Sequence, residues 1–277
     1  MDNTVTALAG QIAQLDSVDL AHLERMRHEA LTVRAPWKAE YGAYQSGGWW
    51  TTSLMNASGD AADVTIGDCA AKPTGLLAQM PATSALLDEL GLNYMWVRLA
   101  RLEPNAFLWE HRDYDDLDEI ERHRLHIPLH TNASAFLVTG GTKVHMTGGR
   151  IWRLTPTYAH GVCNLLGPDR IHLIADVYAD DTYRRLARHP SLNPDTAELL
   201  PSADHTVLAE RLRAARNMAE LGYTEAAERM LLRLFYTYAL PEGAAYDLIA
   251  ELHTSLGDME AATRWTAAKQ RLLVLTA

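Results

Sequence analysis

Between residues 94 and 178 the chain is cut into short apolar stretches by turn residues, and this spacing restricts the fold more than any other feature. Tyr94 to Leu102 alternates: Val97, Leu99 and Arg101 fall opposite Trp96, Arg98 and Ala100, as in a strand with two different faces. Glu103-Pro104-Asn105 turns the chain, and Ala106 to His111 reads as a second strand. Gly140-Gly141, Gly148-Gly149 and Gly167-Pro168-Asp169 punctuate further strands. Short strands at such close spacing predict a sandwich or closed β architecture rather than parallel βαβ units.

The two ends read as helical. Leu8, Ile12 and Leu15, then Leu20, Leu23 and Leu31, predict helices from the N-terminus to about residue 31. After Pro201 an internal repeat appears: Leu221-Gly222-Tyr223-Thr224-Glu225-Ala226-Ala227 recurs as Leu256-Gly257-Asp258-Met259-Glu260-Ala261-Ala262. The spacing is close to the roughly 34-residue period of tetratricopeptide helix pairs. Each Gly suits the end of one helix, and Thr224 and Asp258 suit the start of the next. Met230, Leu231, Leu234, Phe235 and Tyr238 form an apolar stripe. Two repeats fall short of a free-standing solenoid, so this segment is expected to pack on the β core as a buttress or dimer face. The expected division is 1–200 for the β-barrel with its N-terminal helices and 201–277 for a C-terminal helical domain.

Bulk properties exclude several roles. A formal net charge of −10 argues against nucleic acid as the main partner, though a local arginine pocket can still hold a small anion. Cys69 and Cys163 are too few for a disulfide framework and suit a reducing cytoplasm. Met1-Asp2-Asn3 has no basic stretch leading into an apolar run, so a secretory signal is not expected. No apolar run approaches the ~20 residues needed to cross a bilayer, so no membrane partner is expected.

The chemistry concentrates in His111-Arg112-Asp113, His160 and Arg170. Two His and one carboxylate occupy one face of a ferrous ion and leave the opposite positions open. His-x-Asp alone is weak, since a chain with 12 His and 35 acidic residues carries about one or two His-x-acid pairs by chance. Context strengthens it. On a strand His111 and Asp113 project to one side and Arg112 to the other. Arg124 and His126 share a face, with Leu125, Ile127 and Leu129 turned to a core. Arg170, His172, Ile174 and Asp176 share another, and an arginine there can grip a carboxylate bidentately.

Taken together, His111-Arg112-Asp113, Arg124-x-His126-x-x-Leu129, His160-x-Val162-x-Asn164 and Arg170-x-His172-Leu173-Ile174-x-Asp176 resemble the aspartyl/asparaginyl β-hydroxylases, Fe(II)/2-oxoglutarate-dependent dioxygenases. Asn56-Ala57-Ser58-Gly59-Asp60, His111-Arg112-Asp113-Tyr114, His145-Met146, Ile151-Trp152 and Tyr246-Asp247-Leu248 narrow the likeness to bacterial hydroxylases of free L-proline, the cis-3 and cis-4 enzymes. It runs from about Trp49 to Leu273.

The resemblance implies a mainly β protein with helices, built on a double-stranded β-helix of the jelly-roll or cupin type. It implies Fe(II) on His111, Asp113 and His160, 2-oxoglutarate anchored by Arg170 with Arg124 and His126 beside it, and O2 as the other co-substrate. Arg98 and Arg101 are candidates for a substrate carboxylate, although their alternation lets only one face the site. Trp152 is a candidate pocket wall, and Trp49, Trp50, Trp96 and Trp109 are more simply core. His145 is a candidate support for the site, and Cys163 reads as a small buried apolar side chain. The expected activity is hydroxylation of a free amino acid, proline-like or otherwise small, by a cytoplasmic enzyme that could form a homodimer. Rival readings are hydroxylation of an Asp or Asn in a peptide or carrier-bound substrate, and a non-catalytic metal-binding barrel with a helical interaction module.

Overall fold

The computed structural model describes residues 8–113 and 121–273. Its strands follow in chain order. They are β1 (Ile12–Ser17), β2 (Trp49–Asn56), β3 (Lys72–Pro73), β4 (Tyr94–Leu102), β5 (Ala106–His111) and β6 (Arg122–His130). Then come β7 (Ala135–Thr139), β8 (Thr142–Val144), β9 (Arg150–Leu154), β10 (His160–Asn164), β11 (Arg170–Tyr178) and β12 (Ala197–Leu199). One sheet has the order β1-β9-β6-β11-β4-β2-β3 and the other β12-β8-β7-β10-β5, with every described pairing antiparallel.

The sheets face each other, and helices cover both outer faces. Val97, Leu99, Leu125, Ile127, Ile171 and Leu173 point outward from the larger sheet. Against them lie Leu23 and Met26 of α1 (Leu20–Thr32) and Leu86 and Leu87 of α2 (Pro81–Leu90). After the short α3 (Asp181–Leu186) come α4 (His205–Glu220), α5 (Thr224–Leu232), α6 (Ala244–Leu256) and α7 (Met259–Leu273). This helical group covers the smaller sheet: Phe107, Trp109, Phe136, Val138 and Cys163 pack with Leu231, Phe235, Tyr236, Tyr246 and Ile249. Two differently buried faces per strand explain why β4, β6 and β11 read as alternating yet expose almost nothing. The double-stranded β-helix expected from the resemblance is the architecture observed.

The helical group also braces β5, an edge strand. The Tyr236 hydroxyl donates to the Leu108 carbonyl (2.5 Å) and the Tyr246 hydroxyl to the Glu110 carbonyl (2.6 Å). The Gly243 N–H donates to the Glu110 carboxylate, and the Arg112 N–H to the Leu272 carbonyl at 2.8 Å. Burial without a full charge partner raises the Glu110 carboxyl to about 7. Bonding an edge strand to side chains closes a row of backbone groups that would otherwise invite another chain.

Three sequence expectations need correction. Residues 8–11 are helical, but Ile12–Ser17 is a strand on the edge of the larger sheet. Its apolar positions fit either period, and pairing with β9 buries Ile12 and Ala13 completely, so tertiary context overrides the helical spacing. The true N-terminal helix, capped by Asp19 accepting from the His22 N–H, buries Leu23, Met26 and Ala30 and leaves Leu20 and Leu31 exposed. Residues 1–7 and Tyr114 lie outside the described residues.

In the repeat, Gly222 and Gly257 both have positive φ, and Asp258 accepts from the Ala261 N–H at 2.9 Å as an N-cap should. Thr224 does not cap; it is already the first residue of α5. The stripe from Met230 is continuous only to Leu232, where the helix tightens into a 3₁₀ turn that carries Leu234 and Phe235 into the sheet interface.

Candidate active site

The inner faces of the two sheets enclose one cavity holding most of the residues singled out from sequence. His111 ends β5 and His160 begins β10, and the two are directly paired across the ladder. Asp113 follows two residues beyond His111. One donor atom from each of the three lies within 4.8 Å of the others. The His111 Nε2 is 3.6 Å from Asp113 Oδ1, and the His160 Nε2 is 3.5 Å from Asp113 Oδ2. Donors bonded at about 2 Å to one metal must stand roughly 3 to 3.5 Å apart, so the set fits a single divalent ion with little adjustment.

Local hydrogen bonds aim these rings. Each imidazole directs Nδ1 at the carbonyl two residues before it, Trp109 at 2.7 Å for His111 and Tyr158 at 2.9 Å for His160. A proton on Nδ1, held by the carbonyl, leaves the Nε2 lone pair free for a metal, an arrangement common among metal-bound histidines. Burial lowers the His111 pKa from its ordinary value and that of His160 to about 3, so both rings are neutral. Asp113 behaves oppositely. Burial alone would raise it, but the Arg124 guanidinium holds it near 2, ionised and ready to ligate.

A buried ionic chain stands behind the triad. Arg124 Nη1 donates to Asp113 Oδ2, its Nε donates to Asp176 Oδ1 at 2.7 Å, and Arg98 Nη1 donates to Asp176 Oδ2 at 2.6 Å. Arg124 was expected beside the co-substrate; it does line the cavity, with its guanidinium engaged to Asp113 and Asp176. Breaking such a chain at one member leaves a buried charge uncompensated, at a cost of about 3–5 kcal/mol.

The opposite wall carries Arg170 and His126. Both are about 95% buried or more and line the cavity. Arg170 Nη1 and His126 Nε2 have no hydrogen-bond partner among the described residues. A buried guanidinium edge with nothing to donate to is costly, which makes this wall fit for an anion.

Of the two candidate substrate arginines only Arg98 reaches the cavity. Arg101, three residues on, lies on the other face, stacked over Trp37 and Trp50 and near Glu103 and Asp169. Trp152 does not line the cavity; it lies deeper between the sheets among Ile12, Leu137 and Met146, its indole N–H donating to the Thr147 carbonyl. It is therefore corrected from pocket wall to core. Trp50, Trp96 and Trp109 also lie away from the cavity, and Trp49 borders it. His145 bonds the Ala135 carbonyl at 2.9 Å and touches no member of the triad.

Sequence reading missed Tyr41 and Tyr44. They enter the cavity from the segment before β2, which is tied to β5 by the Ser46 N–H on the Phe107 carbonyl and by the Trp109 N–H on the Tyr44 carbonyl. The Tyr44 ring lies 4.5 Å from the His111 ring. Tyr41 has φ +64°, a left-handed conformation that strains a bulky residue and clusters at functional sites. Only this strain could have marked it, and no sequence pattern encodes it.

A sequence profile for aspartyl/asparaginyl beta-hydroxylase matches residues 20–180, which include all three members of the triad and Arg170. An L-proline cis-4-hydroxylase of Rhizobium meliloti (strain 1021) is 26% identical over 233 residues, covering 81% of this chain and 82% of that protein. Among solved structures, a Pseudomonas putida prolyl-4-hydroxylase aligns with 63% of this chain and 95% of its own at 16% identity and a TM-score of 0.39. HygX from Streptomyces hygroscopicus, with nickel and 2-oxoglutarate bound, aligns with 64% and 86% at 11% identity and a TM-score of 0.40. Since the profile spans more than half of its length, the chain belongs to the aspartyl/asparaginyl β-hydroxylase family.

Proposed function

We propose that this protein is an Fe(II)- and 2-oxoglutarate-dependent dioxygenase that hydroxylates a small free amino acid. The observation that carries the reading is the pairing, within one buried cavity, of a neutral-His/ionised-Asp donor set with an unsatisfied arginine on the opposite wall. His111, Asp113 and His160 would hold the metal. Arg170 would take the distal carboxylate of 2-oxoglutarate, with His126 beside it. When bound, iron and 2-oxoglutarate supply the oxidising chemistry: O2 is consumed, 2-oxoglutarate becomes succinate and CO2, and a C–H bond gains a hydroxyl.

The chain's own part is to bind, orient and exclude water. Arg124 fixes the Asp113 carboxylate and keeps it ionised. Arg98, held by Asp176, brings a third guanidinium to the cavity, beside those of Arg124 and Arg170, and fits a substrate carboxylate. Tyr41, Tyr44, Trp49, Leu108 and Val162 supply an apolar and aromatic surround. The cavity volume is about 30 Å³, room for one or two waters. A keto-diacid and an amino acid therefore require a wall to move, and Tyr41 and Tyr44 line it from the segment before β2, outside the regular strands. The R. meliloti relative, a hydroxylase of L-proline by name, supports a free amino acid over a peptide.

The functional division falls near residue 200, with 201–277 bracing the strand that bears His111; a reducing cytoplasm suits the two unpaired cysteines. Among the described residues no helix is long and apolar enough to cross a membrane.

The test is succinate release by purified protein supplied with Fe(II), ascorbate and 2-oxoglutarate, screened across free amino acids and Asp- or Asn-containing peptides. Turnover with one or a few free amino acids is expected, with a product heavier by one oxygen. Turnover with peptides alone would replace the substrate assignment.

A further inference from the structure

His172 sits behind His126, one layer away from the cavity. Both side chains are buried, on adjacent strands β11 and β6, and their Nδ1 atoms face each other at 3.4 Å. His172 Nε2, like His126 Nε2, has no hydrogen-bond partner among the described residues. Burial, with Arg170 nearby, pushes both pKa values well below the ordinary histidine value, so both rings are neutral. In two neutral imidazoles that meet Nδ1 to Nδ1, one nitrogen donates and the other accepts.

The two possible arrangements differ in what they present to the cavity. If His126 donates, its Nε2 is a bare lone pair beside Arg170, which repels an anion, and His172 carries an orphaned buried N–H. If His172 donates, His126 Nε2–H becomes a donor facing the cavity, and what remains unmatched on His172 is an acceptor. Each arrangement leaves one buried N–H unmatched by the protein, and only the second places it at the cavity, where an anion can accept it. The needs of an anion therefore select the second arrangement.

We propose that His172 is a positioning residue: its Nδ1–H fixes the tautomer of His126, so that His126 Nε2–H and Arg170 together form the donor set for a carboxylate of 2-oxoglutarate. This rests on the reading of Arg170 and His126 as the co-substrate clamp. No proton is transferred in the process; His172 acts only by holding the ring state of its neighbour.

Two measurements test it. In ¹⁵N-labelled protein loaded with diamagnetic Zn(II), long-range ¹H–¹⁵N correlations identify the protonated nitrogen of each ring. His126 is expected on Nε2 and His172 on Nδ1, and His126 protonated at Nδ1 overturns the proposal. In Mn(II)-loaded protein, calorimetry gives the affinity for 2-oxoglutarate. His172→Phe removes the donor and is expected to weaken binding by about tenfold or more, whereas His172→Asn, whose amide can occupy the Nδ1 position, stays within about threefold of wild type. Mn(II) affinity is expected unchanged in both. Equal weakening by Asn and Phe, or none by Phe, assigns His172 a packing role only and overturns the proposal. A wild-type protein that binds no 2-oxoglutarate overturns the clamp itself, a failure distinct from tight binding with the wrong tautomer.

Discussion

The cavity is lined in two different ways. One is strand, from both facing sheets: His111, His126, His160 and Arg170 stand on β5, β6, β10 and β11, and each is fixed by ladder pairing on at least one side. The other is a segment without regular structure that brings in Tyr41 and Tyr44, anchored to β5 by a few backbone bonds. The strand wall carries charge, metal donors and geometry that must hold to a fraction of an ångström. The segment wall carries aromatic surface and a strained backbone. A site of about 30 Å³ admits two ligands only if part of its lining moves, and under the proposed function the segment wall, outside the regular strands, is the part that would move.

Variants on the strand wall should have the largest effects. His160→Ala removes a donor while the ladder around it persists, and turnover is expected to fall at least 1,000-fold with the fold retained by circular dichroism; substantial residual turnover breaks the ligand assignment. Arg170→Leu is expected to weaken 2-oxoglutarate binding about 100-fold, the scale of a buried charge-assisted pair, with metal affinity unchanged in a calorimetric titration. A loss of metal affinity instead would place Arg170 in the wrong half of the site.

Segment-wall variants should be milder and different in kind. Tyr44→Phe keeps the ring packed on His111, so kcat is expected to change less than threefold, whereas Tyr44→Ala opens the wall and raises KM for the amino acid about tenfold. Equal effects on metal binding and on KM would erase the distinction between the walls. Tyr41→Ala and Tyr41→Gly both lose the packing of the ring on Tyr44 and Trp49, but glycine tolerates positive φ and should be the more stable of the two by roughly 1 kcal/mol. A glycine variant no more stable than the alanine variant in urea unfolding would remove the case for strain.

A pH slope tests the buried rings without any substitution. His126 and His172 have folded pKa values far below the ordinary 6.5, so below about pH 6.5 the unfolded chain binds protons that the fold refuses. Stability is therefore full above that pH and is lost as pH falls, by up to about 1.4 kcal/mol per unit for each ring. Unfolding free energies that stay flat from pH 7 to 5 contradict neutral buried rings.

What was legible follows the same division. Period-two alternation gave Tyr94–Leu102 and Ala106–His111 their observed bounds and allowed only one of Arg98 and Arg101 to face inward. The family resemblance singled out the triad, and the ladder pairs His111 with His160 beyond a register shift that alternation alone does not foresee. Ile12–Ser17 was illegible, since its strand state is decided by β9, far along the chain. Trp152 misled because a strand pattern gives the face of a residue but not its depth between the sheets. Tyr41 and Tyr44 lie where no period operates, and their entry into the cavity is a property of the folded segment alone.

The most direct test is a Mn(II) titration followed by calorimetry and electron paramagnetic resonance on wild type, His111→Ala, Asp113→Ala and His160→Ala. One ion per chain in the wild type is expected, with affinity reduced by 100-fold or more in each variant. Wild-type affinity in any of the three would contradict a single centre gripped by these side chains.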